Sequence, residues 1–279
     1  MRAVIGFVLG ALLGCAPLQA LTLHHEQADP SDLRVTGILP DAAEGEVRFV
    51  RYEDIAALPT SEVKGRPEWL HEEHTFTIVF FRDFIRALAP PASADLMLVN
   101  CGDGYQANYS FDFIATYKPF FIVKIDGKPP SEWPGNAKGN RGPYYVSVSE
   151  KIVPAYAQLL DGDSKRPFGV AEVKLANAAK TFAPLYQGSR AHGSPLLIRG
   201  REMFIDHCSS CHATADGSFG GKVSSRPIEI LSVFAQNAPD YLIKQVTDPK
   251  QFDPKSKMPA HSHYTEKEFD ALIAFLAAK

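Results

Sequence analysis

The spacing of apolar residues changes character partway along this chain. In the first part, short runs rich in Val, Ile, Leu and Phe are bounded by Gly, Pro, Asp or Ser, at residues 33–38, 46–52, 75–81, 94–99 and 120–125. Such runs predict strands. Helical spacing at 82–88 and 147–160 predicts short helices between them, and Asp126-Gly127-Lys128-Pro129-Pro130 predicts a turn. From Ser194 onward the helical period takes over. Ser194 is an N-cap candidate with Pro195 at the first helical position, and Gly200, Phe204 and Cys208 then recur at i, i+4 and i+8. Residues 238–246 predict a second helix, with Pro239 at its start, Tyr241, Leu242 and Val246 on one face and Pro249 beyond its end. The last segment carries a Thr265–Glu268 capping box, then Phe269, Leu272, Ile273 and Leu276 as a stripe with Phe275 beside it. Glycine in a helix interior costs about 1 kcal/mol relative to alanine. Gly200 therefore predicts close approach of another helix, and the final one supplies the matching face. The pattern divides the chain into a mixed α+β unit over 21–188, a small and polar linker over 189–196, and an all-α unit over 197–279.

Residues 1–20 stand apart. Met1-Arg2 precedes an apolar run from Val4 to Leu13, and Ala16-Pro17-Leu18-Gln19-Ala20 offers small residues for cleavage. This reads as a secretory signal peptide, shorter than a bilayer-spanning helix of roughly 20 apolar residues. Leu12-Leu13-Gly14-Cys15 also resembles a bacterial lipobox, in which Cys15 would be acylated as a lipid anchor. Either reading exports the chain and predicts a periplasmic location. With 29 basic and 32 acidic residues the formal charge is −3, and no basic stripe is present. Nucleic acid is excluded as an expected partner. Of the four cysteines, Cys15 lies in the leader and Cys101 stands alone, so no disulfide framework is expected.

The remaining two form Cys208-Ser209-Ser210-Cys211-His212. A C-x-x-C-H run is a covalent haem attachment signal: two thiols bond the two porphyrin vinyl groups, and the adjacent histidine ligates the iron. A zinc site would need a fourth ligand, and a dithiol switch would make no use of His212. Met258 lies in a polar, proline-punctuated loop, Asp253-Pro254-Lys255-Ser256-Lys257-Met258-Pro259, where no core element is expected. It is the candidate sixth ligand, with His261 and His263 as rivals; a thioether there raises the reduction potential. Lys250, Lys255 and Lys257 are candidates for steering an acidic partner. The glycines at 217, 220 and 221 suit either a backbone wrapped round a flat ligand or a plain surface loop. His71-Glu72-Glu73-His74 suits either a metal or a solvated turn.

Gly200-Arg201-Glu202-Met203-Phe204, the Cys208–His212 motif, Asp248-Pro249, Lys257-Met258-Pro259 and residues 271–276 (Ala-Leu-Ile-Ala-Phe-Leu) together resemble the class I cytochrome c domain, in order and approximate spacing. The resemblance implies a compact helical fold holding one covalent haem c. Cys208 and Cys211 would anchor it, His212 and Met258 would ligate the iron, and Gly200, Phe204 and Pro227 would belong to its surroundings. Pro227 is the candidate carbonyl for the histidine's ring proton. Val35-Thr36-Gly37, residues 52–58, Asp103-Gly104-Tyr105, residues 125–129, residues 142–146 and residues 170–175 resemble, in order, a sulfite-oxidase-type molybdopterin-binding domain. That family binds molybdenum through a cysteine placed before the Asp-Gly-Tyr segment. Here residues 61–88 hold none, and Cys101 comes late. Molybdopterin is therefore not expected. The expected function is single-electron transfer between a redox enzyme and a downstream acceptor, with the N-terminal unit docking a partner. The alternatives are a molybdopterin-dependent oxidoreductase with a fused cytochrome acceptor, and a haem-based sensor.

Overall fold

A computed structural model of the protein describes residues 20–43, 45–66, 70–133, 143–160, 162–191 and 193–278. The leader, including Cys15, lies outside the described residues, as does Gly142. Among the described residues, no helix is long and apolar enough to cross a membrane.

Two sheets make the N-terminal unit. The first runs β2 (Arg48–Val50), β1 (Leu33–Gly37), β9 (Val170–Ala176), β5 (Leu96–Cys101), β6 (Gln106–Ser110), with β1 parallel to β9 and the other pairs antiparallel. The second is an antiparallel sheet of order β3 (Thr60–Gly65), β4 (His74–Phe80), β7 (Phe120–Ile125), β8 (Tyr145–Ser147). Both β5 and β7 are central strands and nearly continuous apolar runs, as burial on both faces requires. At the edge, β3 carries Glu62 and Lys64 outward, a charge pattern that discourages pairing with another chain. Helix α2 (Phe81–Leu88) buries Phe81, Phe84 and Leu88, and Phe81 and Phe84 pack on Phe121 at centroid distances of 4.6 and 5.3 Å. Helix α1 (Tyr52–Ala56) anchors through the Tyr52 hydroxyl, which donates to Val123 O at 2.5 Å. The short α3 (Phe111–Tyr117) and α4 (Ala178–Thr181) complete this part.

The five expected strands are present with ends shifted by up to two residues, while β3, β6, β8 and β9 were not among them. The expected helix at 147–160 is corrected. Ser147 ends β8, and only a 3-10 turn, Pro154–Gln158, follows. Pro154 has no N–H to donate, so it can open such a turn but cannot sit inside a helix. The turn at Asp126-Gly127 is present, with φ of 50° and 76°. Consecutive left-handed residues are the signature of a tight hairpin turn, and glycine suits the second.

The C-terminal unit is helical: α5 (Pro195–Met203), α6 (Ile228–Asn237), α7 (Pro239–Thr247) and α8 (Glu266–Ala277). Ser194 caps α5 by accepting from Leu197 N, and the Thr265–Glu268 box caps α8. The crossing expected of Gly200 is present. A Cβ there would lie 1.9 Å from Ala271 O, so α5 and α8 meet backbone to backbone. Below that contact, Phe204 packs on Phe275 at 5.6 Å. A π-helical turn, Phe204–Cys208, carries α5 into the cysteine motif. Packing of the helical unit begins upstream of residue 189. Leu185 is fully buried in its core, and Arg190 reaches Ser232 Oγ at 2.8 Å and stacks over Phe275.

Candidate functional site

A cavity of about 1020 Å³ opens beside the cysteine motif, at the upper end of the 300–1,000 Å³ typical of ligand sites. Cys208, Cys211 and His212 lie on its wall, and Met258, His261 and His263 line it as well. Its apolar surface comes from Phe204 on the π turn, Leu231 and Phe234 on α6, Leu242 and Val246 on α7, and Leu272 and Leu276 on α8. The sequence thus brings all its first-choice ligands to one cavity, along with both rival histidines. Met258 is half-buried and packs against the helical core, with its N–H donating to Ser256 Oγ at 3.2 Å.

His212 is held by backbone at the cavity wall. Its Nδ1 lies 2.7 Å from Arg226 O. A carbonyl only accepts, so Nδ1 carries the proton and Nε2 keeps the lone pair a metal needs. Burial pushes the imidazole's pKa down, against the Arg226 hydrogen bond, which favours the charged ring. Both the tautomer and the neutral form suit ligation. The acceptor expected at Pro227 is therefore corrected to Arg226. Pro227 is the N-cap of α6, and its carbonyl is taken by the N–H groups of Ile230 and Leu231. The residue before a proline is held extended, which leaves its carbonyl outside the helix ladder. That was the sequence signal for Arg226.

Gly200 sits at the helix crossing and is not on the cavity lining, whereas Phe204 is. Nor do the loop glycines line the cavity. Gly220, at φ +89°, packs on the backbone of His212 and Ala213, and a Cβ on Gly221 would lie 1.9 Å from Ser210 O. They let the loop lie flat on the back of the attachment segment. His71, Glu72 and Glu73 are exposed, while His74 pairs with Asp126 at 2.6 Å. Among the described residues, no group of three or more His, Cys, Asp or Glu is arranged to hold a metal ion.

The N-terminal unit also reaches the cavity, which sequence reading missed. Cys101, Asp103, Tyr105, Ser164, Arg166 and Phe168 are on its lining. The residues at the motif are fastened to that unit by hydrogen bonds: Gln106 N donates to Ser210 O at 3.0 Å, Asn108 Nδ2 to Ile205 O at 2.7 Å, and Lys222 N to Gly104 O at 2.7 Å. Lys165, almost wholly buried, donates to Asn108 O and Oδ1 at 2.9 and 3.0 Å and pairs with Asp206 at 3.2 Å. Burial outweighs that pairing and lowers the Lys165 pKa.

Two thiols separated by two residues, with a histidine directly after the second, set on an apolar cavity lined by the helices of this unit, fit a covalently held flat ring. Although His261 and His263 share the cavity, among the described residues they do not gather with the thiols into a metal-holding group. This fold and site define a c-type cytochrome domain. Residues 196–276 match the family model for cytochrome c oxidase, cbb3-type, subunit III. The match covers less than a third of the chain and gives it a cytochrome c domain, with the haem c and electron-transfer role that such a domain implies. It does not extend to the N-terminal unit, for which the sulfite-oxidase-type resemblance has no support. No curated protein matches the chain.

Proposed function

We propose that the protein is an exported, periplasmic monohaem cytochrome that passes single electrons between a redox enzyme and a downstream acceptor, with its N-terminal unit docking a partner. The observation that carries this reading is the single cavity shared by Cys208, Cys211, His212 and Met258. When bound, the haem supplies a one-electron couple at its iron. Cys208 and Cys211 would hold the ring through thioether bonds. His212, oriented by Arg226 O, would offer Nε2 to the iron, and Met258 would offer its sulfur. Phe204, Leu242 and Val246 would keep water from the ring.

Residues 61–88 hold no cysteine and Cys101 comes after them, so the thiolate ligand that sulfite-oxidase-type molybdenum chemistry would need is not at its expected place. Elemental analysis of protein matured in a molybdenum-replete host tests the reading. One iron per chain without molybdenum is the expected result, and stoichiometric molybdenum would overturn it.

A further inference from the structure

The cavity has two owners. Its helical walls belong to the cytochrome domain, but the side next to Cys211 is closed by the loop between β5 and β6 and by residues 163–168. That loop is tightly made. Gly104 N donates to Cys101 O, Tyr105 N to Asp103 Oδ1 at 3.0 Å, and Cys101 N to Tyr105 O at 2.8 Å. Gly104 adopts φ +91°, and a Cβ there would meet Lys222 C at 3.3 Å, so the loop lies directly on the segment after the motif. The Tyr105 hydroxyl donates to Ser164 O at 2.8 Å, tying the loop to the second stretch. Phe168 is the outer member, 45% exposed although it lines the cavity.

Thioether bonds fix the vinyl-bearing edge of a haem beside its cysteines. Cys211 shares the cavity with Asp103 and Tyr105, and its neighbour Ser210 accepts from Gln106 N at 3.0 Å, so this wall stands beside the attachment point. We propose that the N-terminal unit is a structural part of the haem site, with Tyr105 and Phe168 as positioning residues that close the ring's Cys211 edge against solvent. This rests on the haem reading above and goes beyond a docking role. The unit shapes the couple itself, and electrons leaving by that edge must pass it.

Two consequences follow from physics. The oxidised iron carries one more positive charge than the reduced, so a dry wall disfavours oxidation and solvent restores it. A covered edge also slows small reductants that must touch the ring. The full-length holoprotein is therefore compared with Tyr105→Ala and Phe168→Ser by potentiometric titration and by the rate of reduction with ascorbate. Phe168 is already half in water, so its substitution leaves folding intact. Val233→Ser, 52% exposed on α6 and off the cavity, is the control. Both wall variants are expected to have a lower midpoint potential and faster reduction, with the control unchanged. Haem-loaded wall variants with wild-type potential and rate would overturn the wall. Absence of a pyridine haemochrome from the wild type would instead overturn the haem reading beneath it.

Discussion

At the scale of single residues, Met258 carries the most specific claim. It stood out in the sequence because a methionine in a lysine- and proline-rich loop has no core to fill, and it lines the cavity with His212. Met258→Ala should lose the methionine-to-iron band of the oxidised visible spectrum and lower the reduction potential, because the thioether favours ferrous iron. A retained band would place the sixth ligand elsewhere, with His261 and His263 next in line. Cys101 gives a pH signature. Its folded pKa is raised from the ordinary 9.0 to about 12, so the unfolded chain loses this proton first as pH rises. The stability it contributes is complete below about pH 9 and is lost as pH climbs through 12. Cys101→Ala should flatten that alkaline loss relative to wild type, read from denaturant midpoints across the window. Arg226 was harder to see, because a backbone acceptor leaves no side-chain signature and only the following proline hinted at it.

Among elements, the α5–α8 crossing was fully legible. A glycine at i beside an aromatic at i+4 needs an explanation, and a capped amphipathic helix at the chain's end offered one. Gly200→Ala should destabilise the helical unit by about 1–3 kcal/mol or more, the cost of overpacking a tight contact, since the new carbon meets backbone that cannot rotate away. Denaturant unfolding followed by far-UV circular dichroism measures it. Less was legible among the strands. β6 (Gln-Ala-Asn-Tyr-Ser) reads as polar because it is an edge strand. Its side chains serve the neighbouring segment: Asn108 meets Ile205 O and Lys165, which a search for apolar runs has no means to find. The helix expected at 147–160 failed because apolar spacing alone outweighed Pro154.

For the whole molecule, the seam matters most. Residues separated by about a hundred positions meet there, and nothing local in the sequence announces it. Gln106 to Ser210, Asn108 to Ile205 and Gly104 to Lys222 join the edge of a sheet to the back of the cysteine motif. The two units should therefore unfold together, with far-UV circular dichroism and haem absorbance giving coincident transitions. Gly221→Ala, whose new carbon would lie 1.9 Å from Ser210 O and 3.0 Å from Gln106 N, should separate them. Coincident transitions in that variant would show the seam to be dispensable.

Everything above depends on covalent haem at Cys208 and Cys211. Intact mass of the protein, exported in a host equipped for c-type maturation, tests it most directly. The expected mass is the polypeptide plus one haem, surviving acid-acetone extraction, with no such adduct in the Cys208→Ala, Cys211→Ala double variant. A mass equal to the polypeptide alone, in a host that matures other c-type cytochromes, would contradict it.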